Sequence, residues 1–188
     1  MTRQKETSPA NFTPEQRAEY ETFTRTRRPQ ADGSLGGPFD PWMTNPELFH
    51  RLTGLGGMLW TRTSLDRGIV ELAICVTAKI WESNVEWAAH APRAVEYGVP
   101  RSALDQILNG RSPKGWDIHE QVYDIVMSLH QRHKLSRSLY EDAVKAFTER
   151  GLAELMAVIG YYTLVSMTLN AFEVQAGPEM EAPFRRED

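Results

Sequence analysis

Residues 152–174, LAELMAVIGYYTLVSMTLNAFEV, are apolar on nearly every face. A helix of that kind has to be covered all round, by other helices or by lipid. Its length suffices to cross a bilayer. However, it contains Glu154, Thr163, Ser166, Thr168 and Asn170, and it has neither a basic flank nor an aromatic belt. These features favour the buried centre of a helical bundle or of an oligomer, and no membrane partner.

The rest of the chain supports an all-α class with about eight helices. Thr13-Pro14-Glu15-Gln16 is a capping box that starts a helix expected to run to about Arg27. The Gly- and Pro-rich stretch RPQADGSLGGPFDPW follows as loop. Asn45 starts a second helix to about Trp60, weakened by Gly54, Gly56 and Gly57, which suggest close packing or a kink. Ser64 is the expected cap of a third helix with a wide apolar pattern, and Asn84 of a fourth, closed by Gly98. Further helices are expected over 100–108 and 117–133. Another begins at the capping box Ser138 to Glu141 and ends near Gly151, before the apolar segment. ICVTAKI is β-branched but lies inside a longer helical period without turn signals, so no strand is expected.

With 188 residues, 41% of them hydrophobic, the chain is long enough to bury a sizeable core. Three parts are expected: an N-terminal segment over 1–35 with one helix and a loop, a helical domain over 36–175, and a tail over 176–188 ordered only by packing on a neighbour. Residues 1–12 are expected to be mobile. The net charge of −4 and isoelectric point near 5.8 argue against a nucleic-acid partner, which favours a basic face. The start has no apolar signal-peptide core, and Cys75 is the single cysteine. Both fit a reducing, cytoplasmic setting.

Chemistry concentrates in 67–98, RGIVELAICVTAKIWESNVEWAAHAPRAVEYG. Glu86 and His90 are four apart on one helix, so their side chains share a face. A carboxylate beside an imidazole favours the charged ring and holds its orientation, which suits general acid/base work near neutral pH. Spacing alone equally fits an exposed, helix-stabilising pair. Glu71 is flanked by Val70, Leu72, Ala73 and Ile74. A charged residue there needs a partner, either Arg67 one turn back or His90 in space. A fold-holding ion pair and a catalytic acid/base of weakened acidity both account for it. Glu71 lies 12 residues before Ser83, about 18 Å, and His90 only 6 after Asn84, about 9 Å. A strict antiparallel hairpin would not bring them level, so they meet only if the helices cross steeply or kink.

Elsewhere the signals are weaker. His119, His130 and His133 resemble a metal cluster, but the segment around Gln131 to Lys134 is basic and reads as a solvated helix end. Glu71, Glu86 and His90 would make a three-ligand set, yet their spacing does not demand a metal, and none is expected. Trp60, Trp81, Trp87 and Trp116, with Tyr161 and Tyr162, suit either an aromatic pocket or the core. Trp42, read as a loop residue, is a candidate cover for a site mouth.

The helix RGIVELAICVTA, the following EWAAHAPRAVEYGV, the upstream GGPFDPW and the closing apolar segment resemble the carboxymuconolactone decarboxylase and alkylhydroperoxidase-D-like family over about 36–174. The resemblance implies an all-α bundle that forms homo-oligomers, commonly trimers or hexamers, with sites near subunit contacts. In the peroxidase branch a Glu precedes a Cys-x-x-Cys and then a His, and its Glu-to-His separation matches Glu71 to His90. Here Ser83 and Glu86 occupy the two cysteine positions. A peroxidatic cycle needs a thiolate and a resolving thiol, so that activity is not expected. The decarboxylase branch works without the cysteine pair.

The resulting expectation is a cofactor-independent, lyase-type enzyme acting on a small organic acid, lactone or enol by decarboxylation, isomerisation or hydration. His90 would shuttle the proton, Glu86 would orient it, Glu71 would be a second acid or base, and Ser83 would bond substrate or water. The alternatives are a peroxide-reducing protein with a degenerate site using Cys75, and a non-catalytic oligomeric binding protein with a closed apolar pocket and a Glu71 paired only with Arg67.

Overall fold

A computed structural model describes residues 3, 8–177, 179–180 and 182–184. Among these residues all regular structure is helical. A short 3-10 turn, Pro9–Asn11, precedes α1 (Pro14–Thr24), α2 (Phe39–Met43), α3 (Pro46–Thr61), α4 (Arg67–Ile80), α5 (Asn84–Glu96), α6 (Arg101–Leu108), α7 (Asp117–Arg132) and α8 (Arg137–Ala171).

α4 is the central helix. Gly68 through Ala78 are all buried, and α5, α6, α7 and α8 all pack on it. This explains its wide apolar pattern: a helix covered on every side has no face to spare for polar residues. α4 and α5 form a hairpin whose far ends approach to backbone contact. A Cβ on Gly68 would stand 2.6 Å from the Tyr97 carbonyl oxygen, so only glycine fits there. α5 contains Pro92 in its interior, a residue that removes a helical hydrogen bond and bends the axis. Across this close-packed hairpin Glu71 and His90 come within reach, despite the offset expected of a straight one.

α8 joins two expected helices into one element with a break at Thr148 (φ 64°, ψ 168°), whose hydroxyl caps the Gly151 amide at 3.3 Å. Among the described residues α8 is the one helix long and apolar enough to cross a membrane. Its inner face, including Leu155, Val158 and Leu169, is buried in the bundle, while Leu164 and Met167 remain exposed.

Several caps differ from expectation. Asp66, not Ser64, caps α4, because Ser64 gives its amide and hydroxyl to Glu154 at 2.6 and 2.7 Å. Ser83, not Asn84, stands at the N-cap of α5, and Ser136, not Ser138, caps α8. The Asn84 amide instead clasps the tail, donating to the Phe184 carbonyl at 2.8 Å and accepting from its N–H at 2.9 Å. Phe184 packs edge-on against Trp87, so this part of the tail is ordered by its own chain rather than by a neighbour. α1 ends at Thr24, short of Arg27. Part of the expected loop is the helix α2, whose entry is fixed by Asp40 accepting from the Leu35 and Gly36 amides at 2.9 and 2.7 Å. At the N-terminus Arg3 donates its amide to the Phe172 carbonyl at 2.9 Å. Of the segment expected to be mobile, residues 1, 2 and 4–7 lie outside the described set, as do 178, 181 and 185–188 of the tail.

Candidate active site

A cleft of about 950 Å³ opens between the N-terminal segment, α3, α5 and α8. His90 and Glu86 of α5 line it, with Tyr161 and Tyr162 of α8 and Trp60 of α3. Phe23 and Arg27, within 1–35, and Phe39 close the other side. The site is therefore shared between the two parts that the sequence divided at residue 35.

Glu71 stands behind His90, does not itself line the cleft, and is 0% exposed. One carboxylate oxygen accepts from Arg67 Nη2 at 2.7 Å and the other bonds His90 Nδ1 at 2.6 Å. Arg67 is itself fixed: it donates to the Trp60 carbonyl at 2.8 Å, and its guanidinium lies 3.4 Å from the centre of the Trp60 ring. A buried carboxylate needs partners on both oxygens, and Arg67 and His90 supply them. With Nδ1 committed to Glu71, the ring presents Nε2 to the cleft.

Glu86 is different. It is 5% exposed, and its Oε2 lies 3.5 Å from His90 Nε2, an ion-pair contact without a hydrogen bond. That oxygen is buried and has no hydrogen-bond partner. Burial raises the Glu86 pKa above the ordinary carboxylate value; His90 and Arg93 oppose the shift, and Glu71 adds to it. The shift is toward the neutral form relative to an exposed carboxylate. Burial also raises the pKa of Tyr161 and Tyr162, with help from Glu86, so both hydroxyls stay neutral. Tyr162 meets the His90 ring edge-on at 5.1 Å.

The two glutamates, expected as a second acid or base (Glu71) and as the group orienting His90 (Glu86), are held differently. Glu71 has both oxygens engaged, whereas Glu86 lines the cleft and keeps one buried oxygen without a hydrogen-bond partner. Ser83 is fully buried, does not line the cleft, and has no partner for its hydroxyl. Trp42 lies in α2, is buried, and donates Nε1–H to Thr168 Oγ1 at 3.1 Å; it does not cover the mouth. Of the aromatic candidates, Trp60, Tyr161 and Tyr162 line the cleft, whereas Trp87 belongs to the core.

Cys75 is buried in the core, does not line the cleft, and has its pKa pushed well above the ordinary thiol value by burial and then by Glu71 and Glu86. This is the reverse of what a reactive thiolate needs. His130 is engaged by the Val126 carbonyl and the Thr163 hydroxyl at 2.9 and 3.1 Å. Among the described residues no group of three or more His, Cys, Asp or Glu is placed to hold a metal ion.

Sequence reasoning missed Arg93, Arg27, Phe23 and Phe39 in the cleft wall. Arg93 had a signal: it follows His90 by three on the same helix, so it shares its face. The others come from a segment whose placement on α3 no local pattern reveals.

No family model matches this sequence, and no curated protein does. Among solved structures, the chain is similar to an uncharacterized peroxidase-related protein from Silicibacter sp. TM1040, with a TM-score of 0.75 at 13% identity over 95% of this chain and 93% of that one. That likeness establishes a shared all-helical fold, consistent with the alkylhydroperoxidase-D-like bundle.

Proposed function

We propose that the cleft performs cofactor-independent general acid/base chemistry on an organic acid, lactone or enol-type compound. The carrying observation is the relay Arg67–Glu71–His90, which commits Nδ1 and leaves Nε2 facing the cleft beside the neutral-leaning Glu86. A neutral imidazole that donates from Nδ1 keeps its lone pair on Nε2, and a carboxylate behind it stabilises the imidazolium once a proton arrives. His90 Nε2 then takes a proton from the substrate, and Glu86 supplies one to the position where negative charge develops. Isomerisation by proton transfer uses both members of such a pair, and decarboxylation uses the acid to protonate the carbanion left when carbon dioxide departs.

Two observations weigh against the alternatives. A binding protein with a vestigial site would leave Glu71 paired only with Arg67, whereas it also holds His90. A peroxide-reducing protein would need Cys75 exposed and acidic, and it is neither.

The test is proton exchange followed by NMR in deuterated buffer, with a panel of lactones, β-keto acids and muconate-like acids. Wild type is expected to incorporate deuterium or release carbon dioxide from at least one. The His90→Ala variant should be slower by about 10²–10⁴-fold. Equal turnover by the two proteins would overturn the assignment.

A further inference from the structure

The cleft carries two features that proton transfer on a small acid does not use: its size and its aromatic wall. At about 950 Å³ it lies at the upper end of the roughly 300–1,000 Å³ typical of ligand pockets. A single small lactone or keto acid would leave most of that space to water.

The wall is a chain of ring contacts. Phe23 meets Phe39 at 4.8 Å, Phe39 meets Trp42 at 5.9 Å, and Trp42 meets Tyr161 at 6.2 Å between centroids. The chain continues from Tyr161 to Tyr162 at 5.3 Å, to His90 at 5.1 Å, and to Trp60 at 6.4 Å. All these rings except Trp42 line the cleft. α3, which carries Trp60, also presents glycine to the cleft. A Cβ at Gly54 or Gly57 would meet nothing within 4 Å, so these positions hold the cleft open, whereas a Cβ at Gly56 would stand 2.8 Å from the Tyr161 ring.

Each end of the ring chain carries a cation. Arg27 stacks on Phe39 at 4.9 Å and on Phe23 at 5.2 Å. Arg93 lies 4.9 Å from the centre of the Trp60 ring, one turn beyond His90. Among the described residues neither arginine ion-pairs with a carboxylate at 4.0 Å or less. A guanidinium stacked on a ring keeps its N–H edge free to accept a carboxylate bidentately. Glu86, which also lines the cleft, adds a buried carboxylate oxygen without a hydrogen-bond partner.

From this arrangement we infer that the occupant is a flat, multi-ring aromatic acid. Its carboxylate is held by Arg93, its rings lie along the aromatic wall over Gly54 and Gly57, and its ionisable hydroxyl or enol sits at His90 and Glu86. The inference rests on the acid/base reading only for the placing of the hydroxyl.

Isothermal titration of the purified full chain tests it, with 3-hydroxy-2-naphthoate as the probe and acetoacetate as the small comparison. The naphthoate is expected to bind at least tenfold more tightly. Gly57→Leu, which raises helix propensity while filling the cleft, should weaken naphthoate at least tenfold and leave acetoacetate within threefold. Arg93→Gln should weaken naphthoate about tenfold and leave uncharged 2-naphthol within threefold. Equal affinity for the two acids, no naphthoate binding, or a Gly57→Leu variant that binds like wild type would each overturn the inference. Failure of the two readings is separable. Tight naphthoate binding with no His90-dependent exchange on any substrate overturns proton transfer and leaves the ring-acid site standing. Exchange on acetoacetate without naphthoate binding does the opposite.

Discussion

The two buried glutamates on α4 and α5 face opposite fates. Glu71, at the inner end of the site, has both oxygens engaged by Arg67 and His90. Glu86, at the cleft end, keeps a buried oxygen with no hydrogen-bond partner. Both are buried and both contact the same imidazole, at 2.6 and 3.5 Å. In the proposed acid/base reading, saturation makes the first a positioning group and under-satisfaction leaves the second for a ligand. Burial is common to both carboxylates; the count of satisfied oxygens is what differs.

Removing the inner carboxylate should give the largest effect. Glu71→Ala leaves Arg67 and His90 without their shared anion, and breaking a buried pair from one side costs about 3–5 kcal/mol. Urea denaturation would measure it, and a loss under ~1 kcal/mol would show that the relay is not structurally coupled.

At the cleft end the expected sign is reversed. Glu86→Gln should lower turnover by about 10²-fold without destabilising the fold at neutral pH. Its carboxyl has a folded-state pKa above the ordinary carboxylate value because burial disfavours the anion. Folding therefore binds a proton: the stability tied to Glu86 is fully present below the ordinary carboxylate range and is lost as pH rises through the raised value. Melting temperatures recorded across that range should fall with pH in wild type more than in Glu86→Gln. Parallel curves would show that Glu86 ionises freely.

The smallest effect belongs to the core between them. Cys75→Ala should cost about 1 kcal/mol as a small cavity and leave both acid/base turnover and any peroxide consumption unchanged. Loss of a peroxide-reducing activity in that variant would revive the thiol reading.

Much of the helical layout was legible in the sequence because its signals are local. The Thr13 capping box and the Asn45 cap are both present, since each needs only residues within one turn. The boundary of the last two helices also lay close to the expected place, near Gly151, but it is a break at Thr148 inside one element. At two of the three caps that differ, a distant partner had claimed the capping side chain. Ser64 went to Glu154, 90 residues away, and Asn84 to Phe184, 100 residues away.

For the candidate site, the sequence by itself singled out Glu71, Glu86 and His90. A carboxylate inside an apolar helix and a Glu–His pair one turn apart follow from composition and the 3.6-residue period, which are properties of neighbours along the chain. Only the tertiary structure decided what each residue does there. The close approach of α4 and α5 at Gly68 is what accompanies the meeting of Glu71 and His90 across the hairpin. The fold of the N-terminal segment onto α3 and α8 is what encloses a cleft around Glu86. Roles follow from which oxygens are satisfied, and satisfaction depends on groups brought together from distant parts of the chain.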